Sequence, residues 1–182
     1  MSVKKNVFVI LPLIAAISGA EARKNPYAAE IMKIGDFIKN ISWVYAYGTA
    51  LYHRDKLGAL EYFVADGLAR QTSSFLKRNV DESRPDKSQN DSFPSGHATT
   101  AFSMATFIHA RYGIEEAIVP YVMATYVGFS RVYGRRHYIH DVVAGAAIAG
   151  MFSWIIADKY PDKKITLSAD SEHVYLGFST MF

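Results

Sequence analysis

Three short stretches of the chain hold residue types whose spacing could do chemistry. Lys77 is followed, after six residues, by Arg84-Pro85. Pro94-Ser95-Gly96-His97 comes next, and Ser130-Arg131 then leads, after five residues, to His137 and, after three more, to Asp141. Lys77, Arg84 and Arg131 supply fixed positive charge. Arginine offers a planar fork that matches two phosphate oxygens, and lysine a point charge. Three cations around one anion suit a phosphoryl group, whose equatorial oxygens carry the transition-state charge. Taken singly, each cluster has a plain reading, since a lone Lys or Arg is usually a solvated surface charge. Three of them in this order, in so short a chain, argue for one site.

The smaller residues fit that chemistry. Ser95-Gly96-His97 falls where a helix should begin, and free backbone N–H groups at a helix N-terminus favour an anion. Gly96 lets the backbone approach closely, having no Cβ, and the Ser95 hydroxyl can cap the helix. An ordinary cap explains Pro-Ser-Gly but not the histidine inside the first turn. His137 and Asp141 are four apart, so on a helix they share a face. The carboxylate can then fix the imidazole tautomer and leave the other ring nitrogen for attack. The plain alternative is a helix-surface ion pair, worth little. His140 competes for Asp141, but adjacent helical residues do not face one another. Arg135, Arg136 and Lys87 read as solvated, or as rim contacts to an acidic substrate.

The elements that must position these residues are helical. From Pro26 to Tyr160 the sequence reads as helices with short breaks. Leu57 to about Arg78 repeats apolar residues at three and four: Leu60, Phe63, Val64, Leu68, Phe75 and Leu76. Asp81 to Phe93 is a polar loop. Pro94-Ser95-Gly96 opens a helix that runs to about Tyr112, where Gly113 stops it. Ile114 to Tyr133 is the next helix, and Tyr138 to Tyr160 the last long one. The uncharged runs Ala117 to Ser130 and Val142 to Ala157 are shorter than the roughly 20 residues of a comfortable span. They predict buried inner helices of a globular, soluble or peripheral bundle, or, as the alternative, short spans in a thin or distorted bilayer. Trp43, Tyr45, Tyr47 and Tyr52 read as core residues, or as rings at a membrane surface. The tail changes period: Ile165 to Ala169 and Val174 to Phe182 alternate like strands, and predict a hairpin across Asp170-Ser171-Glu172.

Composition bounds the rest. The 182 residues make one domain by length, and half of them are hydrophobic, which excludes general disorder. Mean hydropathy is +0.02. The absence of cysteine removes disulfides, thiolate metal sites and cysteine nucleophiles together. A formal charge of +3 is too small to argue for nucleic acid. Lys4-Lys5, the apolar run Val7 to Ile17 and the small-residue end Ala20-Glu21-Ala22 have the layout of a secretory signal peptide. Residues 1–22 are therefore expected to be that leader, or an N-terminal anchor, and the bacterial periplasm is the expected compartment.

On the motifs K-x6-R-P, P-S-G-H and S-R-x5-H-x3-D, the chain resembles the type 2 phosphatidic acid phosphatase superfamily. That superfamily also holds the bacterial class A acid phosphatases and the vanadium haloperoxidases. No motif position departs from the pattern. The resemblance implies an all-α fold, a helical bundle of the phosphatidic acid phosphatase/haloperoxidase type, over residues 23–182, with a short C-terminal β-hairpin at about 164–182. It implies a phosphatase that uses no cofactor and no metal. His137 would be the nucleophile and form a phosphohistidine, and Asp141 would orient it. His97 would protonate the leaving alcohol and then activate water. Lys77, Arg84, Ser95, Gly96 and Arg131 would hold the phosphoryl oxygens. The implied substrate is a phosphate monoester or diphosphate, lipid-linked in the first instance, on an exported and membrane-associated protein. A periplasmic acid phosphatase for small soluble phosphomonoesters is the alternative. A vanadate-dependent haloperoxidase and a non-catalytic anion-binding protein are the remaining readings.

Overall fold

The computed structural model describes residues 27–160, together with the backbone of 163–169 and 174–180. The expected leader at 1–22 lies outside the described residues. Five helices follow one another: α1 (Tyr27–Tyr52), α2 (Lys56–Asn79), α3 (Gly96–Tyr112), α4 (Ile114–Tyr133) and α5 (Ile139–Ile156). The chain belongs to the all-α class in this region. Beyond the bundle, β1 (Lys163–Ala169) and β2 (Val174–Thr180) pair antiparallel, with Ile165 opposite Phe178 and Ala169 opposite Val174.

Local chemistry sets the helix limits. Asp55 caps α2 by accepting from the Gly58 N–H at 2.9 Å. Ser95 caps α3 by accepting from the Ala98 N–H at 3.4 Å. Gly113, at φ 99°, ends α3 in a conformation that a side chain would disfavour, and α4 starts directly after it. The last helix ends at Ile156 rather than Tyr160.

The helix at the centre is not one of the two most apolar. α3, rich in Ala, Thr and Ser, contacts all four of the others and is buried along most of its length. The interior is built largely from small residues, among them Ala46, Ala65, Ala69, Ala101, Ala105, Ala124, Ser42, Ser103 and Ser153. Tyr62, Met104, Phe107 and Ile108 are the large side chains among them.

The runs expected to be buried lie outside instead. On α5, Val143, Met151, Trp154 and Ile155 are exposed, Ile155 by 73%, and on α4 so are Ile118, Val119 and Val122. On α2 the stripe that marked the helix faces outward: Leu57, Leu60, Phe63, Val64, Leu68 and Phe75 are exposed, Phe63 by 66%. Its inner face carries Gly58, Glu61, Ala65, Asp66, Ala69 and Ser73, with Tyr62 as the one large side chain. The bundle is therefore apolar outside and small or polar inside. That inverts the pattern of a water-soluble helical protein, and it is the packing rule of helices in lipid. Among the described residues one helix, Ile139–Ile156, is long and apolar enough to cross a membrane by length and composition. The four aromatics of α1 divide: Trp43 and Tyr52 are exposed, while Tyr45 and Tyr47 pack against the core.

Candidate active site

The start of α1, the end of α2, the start of α3, the end of α4 and the start of α5 meet at one end of the bundle. A cavity of about 420 Å³ opens there, lined by Lys33, Asp36, Arg84, His97, Arg131, Arg136 and His137, with Ala29 and Met32. Two histidines and two arginines from the three sequence clusters thus face one space.

The other predicted residues stand behind that lining. Lys77 does not reach the cavity surface. Its ammonium donates to the Asp91 carbonyl and lies 3.5 Å from the Ser92 carbonyl, so it holds the α2–α3 loop. Asp91 in turn pairs with Arg84, Nε to Oδ1 at 2.9 Å and Nη2 to Oδ2 at 3.2 Å, which aims the guanidinium. Ser95 is fully buried, and its N–H donates to the Asp141 carbonyl at 3.0 Å, which ties α3 to α5. A Cβ placed on Gly96 would meet nothing within 4 Å, so the missing side chain leaves open space rather than a packing contact.

His137 lies in the turn before α5 and not on the helix, whose N-cap is Tyr138. The shared-face argument from spacing therefore does not apply, yet the pair still meets. Asp141 Oδ2 accepts from the Tyr138 N–H at 2.8 Å and from the Ser92 hydroxyl at 2.5 Å, and lies 3.4 Å from His137 Nδ1. One carboxylate oxygen thus caps the helix and faces the imidazole. The 3.4 Å separation is long for a hydrogen bond. His137 is 4% exposed and Asp141 fully buried. The other oxygen, Oδ1, lies 3.2 Å from His140 Nε2, which also bonds Glu82 at 2.8 Å. His140 is not excluded by adjacency; it takes the oxygen that His137 leaves. Glu82, His140 and Asp141 are the one group among the described residues with donors close enough to ligate a cation. An imidazole hydrogen-bonded to Glu82, with the Asp141 carboxylate 3.2 Å away, accounts for the same geometry.

Arg136 lines the rim, 3.4 Å from Asp86 and 3.3 Å from the Ser88 hydroxyl. Arg135 is half-buried and donates to the Pro85 carbonyl at 3.1 Å, so it laces two loops together instead of pointing to solvent. Partial burial alone would raise the Asp86 pKa. Hydrogen bonds from Ser88 and the nearby Arg136 and Arg84 hold it below the usual carboxylate range.

Asp36 escaped the sequence reading. It sits on α1, outside every cluster, and one of its oxygens, Oδ1, lies 2.9 Å from His97 Nε2 and 3.0 Å from Arg131 Nη1. Arg131 is held from the same helix by the Met32 carbonyl at 2.9 Å, and by Ser130 Oγ at 3.1 Å. No local pattern marks Asp36; a lone carboxylate among charged neighbours reads as helix surface.

Five helices that close a cationic cup around two histidines define a phosphate-handling helical bundle. The family model described as the PAP2 superfamily matches residues 58–165, more than half of the sequence, and the chain belongs to that superfamily. Among curated proteins it is 41% identical to the lipid A 1-phosphatase of Porphyromonas gingivalis over 68 residues, which is 36% of this chain and 15% of that one. It is 35% identical to the lipid A 4'-phosphatase of Helicobacter pylori over 86 residues, 47% of this chain and 43% of the relative. The match thus spans less than half the length of these relatives. Among solved structures the fold is similar to a transmembrane PAP2-type phosphatidylglycerolphosphate phosphatase from Bacillus subtilis. The TM-score is 0.58 at 22% identity, over 85% of this chain and 86% of that one. It is similar also to LpxE from Aquifex aeolicus, with a TM-score of 0.54 at 20% identity, over 85% of this chain and 98% of that one.

Proposed function

We propose that the protein hydrolyses a lipid-linked phosphate, of the lipid A phosphate class, through a phosphohistidine on His137. The observation that carries this reading is the single cavity that His97 and His137 share with Arg84 and Arg131. Asp141, beside Nδ1, keeps a proton on that nitrogen and leaves Nε2 to attack phosphorus. The N–P bond forms as the P–O bond to the leaving group breaks, and His97 gives its proton to the departing oxygen. Water then attacks phosphorus, the P–N bond breaks with its electron pair returning to His137 Nε2, His97 takes a water proton, and phosphate leaves. Arg84 and Arg131, with Arg136 at the rim, balance the charge on the phosphoryl oxygens. Lys77, Ser95 and Gly96 serve through the loop and the helix start that they shape.

Two observations support a lipid rather than a small soluble ester. Curated relatives to which the chain is 41% and 35% identical are named lipid A phosphatases. The outward faces of α2, α4 and α5 are apolar over an area that water does not favour. We place those faces in a membrane, with the cup at headgroup level, where a lipid phosphate would meet it. On an exported chain that surface would face the periplasm.

The test is phosphate release by the purified full chain in detergent, with chelator present and with vanadate as a competing anion. The panel is lipid A, phosphatidylglycerol phosphate, undecaprenyl diphosphate and p-nitrophenyl phosphate. Chelator-resistant, vanadate-blocked turnover with lipid A preferred is the expected result. Activity confined to p-nitrophenyl phosphate and other soluble esters would overturn the lipid assignment.

A further inference from the structure

The motifs place every chemical group on α2 to α5 and the loops between them. The cavity nevertheless contains a carboxylate from α1. Asp36 is 47% exposed, lines the cavity, and offers a single oxygen to both His97 Nε2 and Arg131 Nη1. Its position is built and not incidental. Gly35, next to it, packs so tightly on α4 that a Cβ there would lie 2.2 Å from Ser130 Oγ and 3.0 Å from Arg131 Nη2. Arg131 also donates to the Met32 carbonyl, one turn earlier on α1. α1 therefore grips the arginine at two points and the histidine at one.

A carboxylate is an acceptor only, so its contact with Nε2 requires a proton on that nitrogen. Nε2 is also on the cavity side, because its partner Asp36 lines the cavity. We propose that Asp36 is a positioning residue. It keeps the His97 proton on Nε2, beside Arg131, where a leaving oxygen can collect it. The inference rests on the general-acid role of His97 given above. When the phosphoryl group enters, its oxygens take over Arg131, and the leaving oxygen replaces Asp36 as the acceptor of the Nε2 proton. With Nδ1 also protonated in the complex, the proton passes from Nε2 to that oxygen as the P–O electron pair moves onto it, which leaves the neutral Nδ1–H imidazole whose Nε2 takes the water proton in the second half-reaction. Asp36 exchanges no proton in this cycle and returns to Nε2–H once water has reprotonated His97 in the second half-reaction.

A leaving group that needs no proton should not need Asp36. The experiment compares Asp36→Asn, His97→Ala and the double variant with the unaltered chain, on p-nitrophenyl phosphate and on phosphatidylglycerol phosphate, whose alkoxide is a far poorer leaving group. Asp36→Asn should lower kcat on the alkyl ester by about 10- to 100-fold, with the loss on p-nitrophenyl phosphate at least tenfold smaller. In the His97→Ala background the same substitution should add no further leaving-group dependence. Nitrogen-15 shifts of labelled His97 should report the Nε2–H form, and should lose that bias in Asp36→Ala even if that variant has lost activity for other reasons. Equal losses on both esters, or an unchanged His97 tautomer, would overturn the role of Asp36. Leaving-group dependence in His97→Ala but not in Asp36→Asn would overturn it alone. Equal losses in His97→Ala would remove the general acid and this inference with it.

Discussion

At the end of the bundle where α1 turns into α2, Arg111 is buried with four of its five N–H groups engaged. Nε and Nη2 fork onto Asp55 at 2.5 and 2.8 Å, and Nη1 reaches Glu61 at 2.8 Å and the Asp158 carbonyl at 2.6 Å. Tyr112 donates to Asp55, and Tyr160 lies under the guanidinium and ties its own hydroxyl to the His53 carbonyl. Arg131, at the opposite end, is as deeply buried, but its partners are a hydroxyl, a carbonyl and one shared carboxylate oxygen, and its outer edge lines a cavity. The same residue type thus serves two ends. Where carboxylates outnumber the cation and saturate it, the network joins α1, α2, α3 and the end of α5. At the cup the cavity lining itself carries four cations, Lys33, Arg84, Arg131 and Arg136, and one carboxylate, Asp36.

Substitutions can break that comparison. The largest effect is expected at the cup. His137→Ala should lower kcat by roughly 10⁴-fold or more, because the proposed nucleophile is lost, with a smaller change in melting temperature, because Asp141 keeps the Ser92 hydroxyl and the Tyr138 N–H. Near-normal turnover on p-nitrophenyl phosphate would remove the nucleophile. The next effect belongs to the far end and should appear in the other measurement. Arg111→Met strands Asp55 and Glu61 in the interior, and should cost about 3–5 kcal/mol in denaturant unfolding from detergent. The fraction that stays folded should keep its KM. A variant with lost activity and unchanged stability would show that the two ends are coupled rather than separate in function.

The smallest effect is a pH dependence. Burial would raise the Asp55 pKa, but hydrogen bonds from Arg111, the Gly58 N–H and Tyr112, with the charge of Arg111, hold it below the usual range. A carboxyl lowered in the folded state binds its proton more readily when unfolded. Its contribution is therefore present above the ordinary carboxylate pKa of about 4 and is lost as pH falls through the lower, folded value. Unfolding midpoints measured from pH 6 downward should drop through that window, and the drop should be shallower in Asp55→Asn.

The sequence conveyed the helices well, because three-and-four spacing and breakers such as Gly113 act locally. It misled on what the helices face. A periodic stripe such as Leu60, Phe63, Val64 and Leu68 marks a face without naming its solvent, and here that face points away from the core. α3 became the centre through Ala, Ser and Thr, which carry little weight in a hydrophobic pattern but let backbones come close. The site divides in the same way. Arg84, His97, Arg131 and His137 were legible as motif residues, and they share the cavity. The i,i+4 spacing of His137 and Asp141 was legible too, but it works as a capped turn, since Tyr138 rather than His137 begins the helix. Asp36 was not legible at all, because its meaning depends on how α1 packs on α4, a contact between segments far apart in the chain.

That contact runs through a position with no side chain to adjust. Gly35 lies directly against the Ser130 side chain and the Arg131 guanidinium, so the approach of α1 to α4 at the Asp36 position depends on the bare backbone there. One added methyl group there would act as a shim, parting the Asp36 carboxylate from the Arg131 guanidinium without altering any residue that lines the cup.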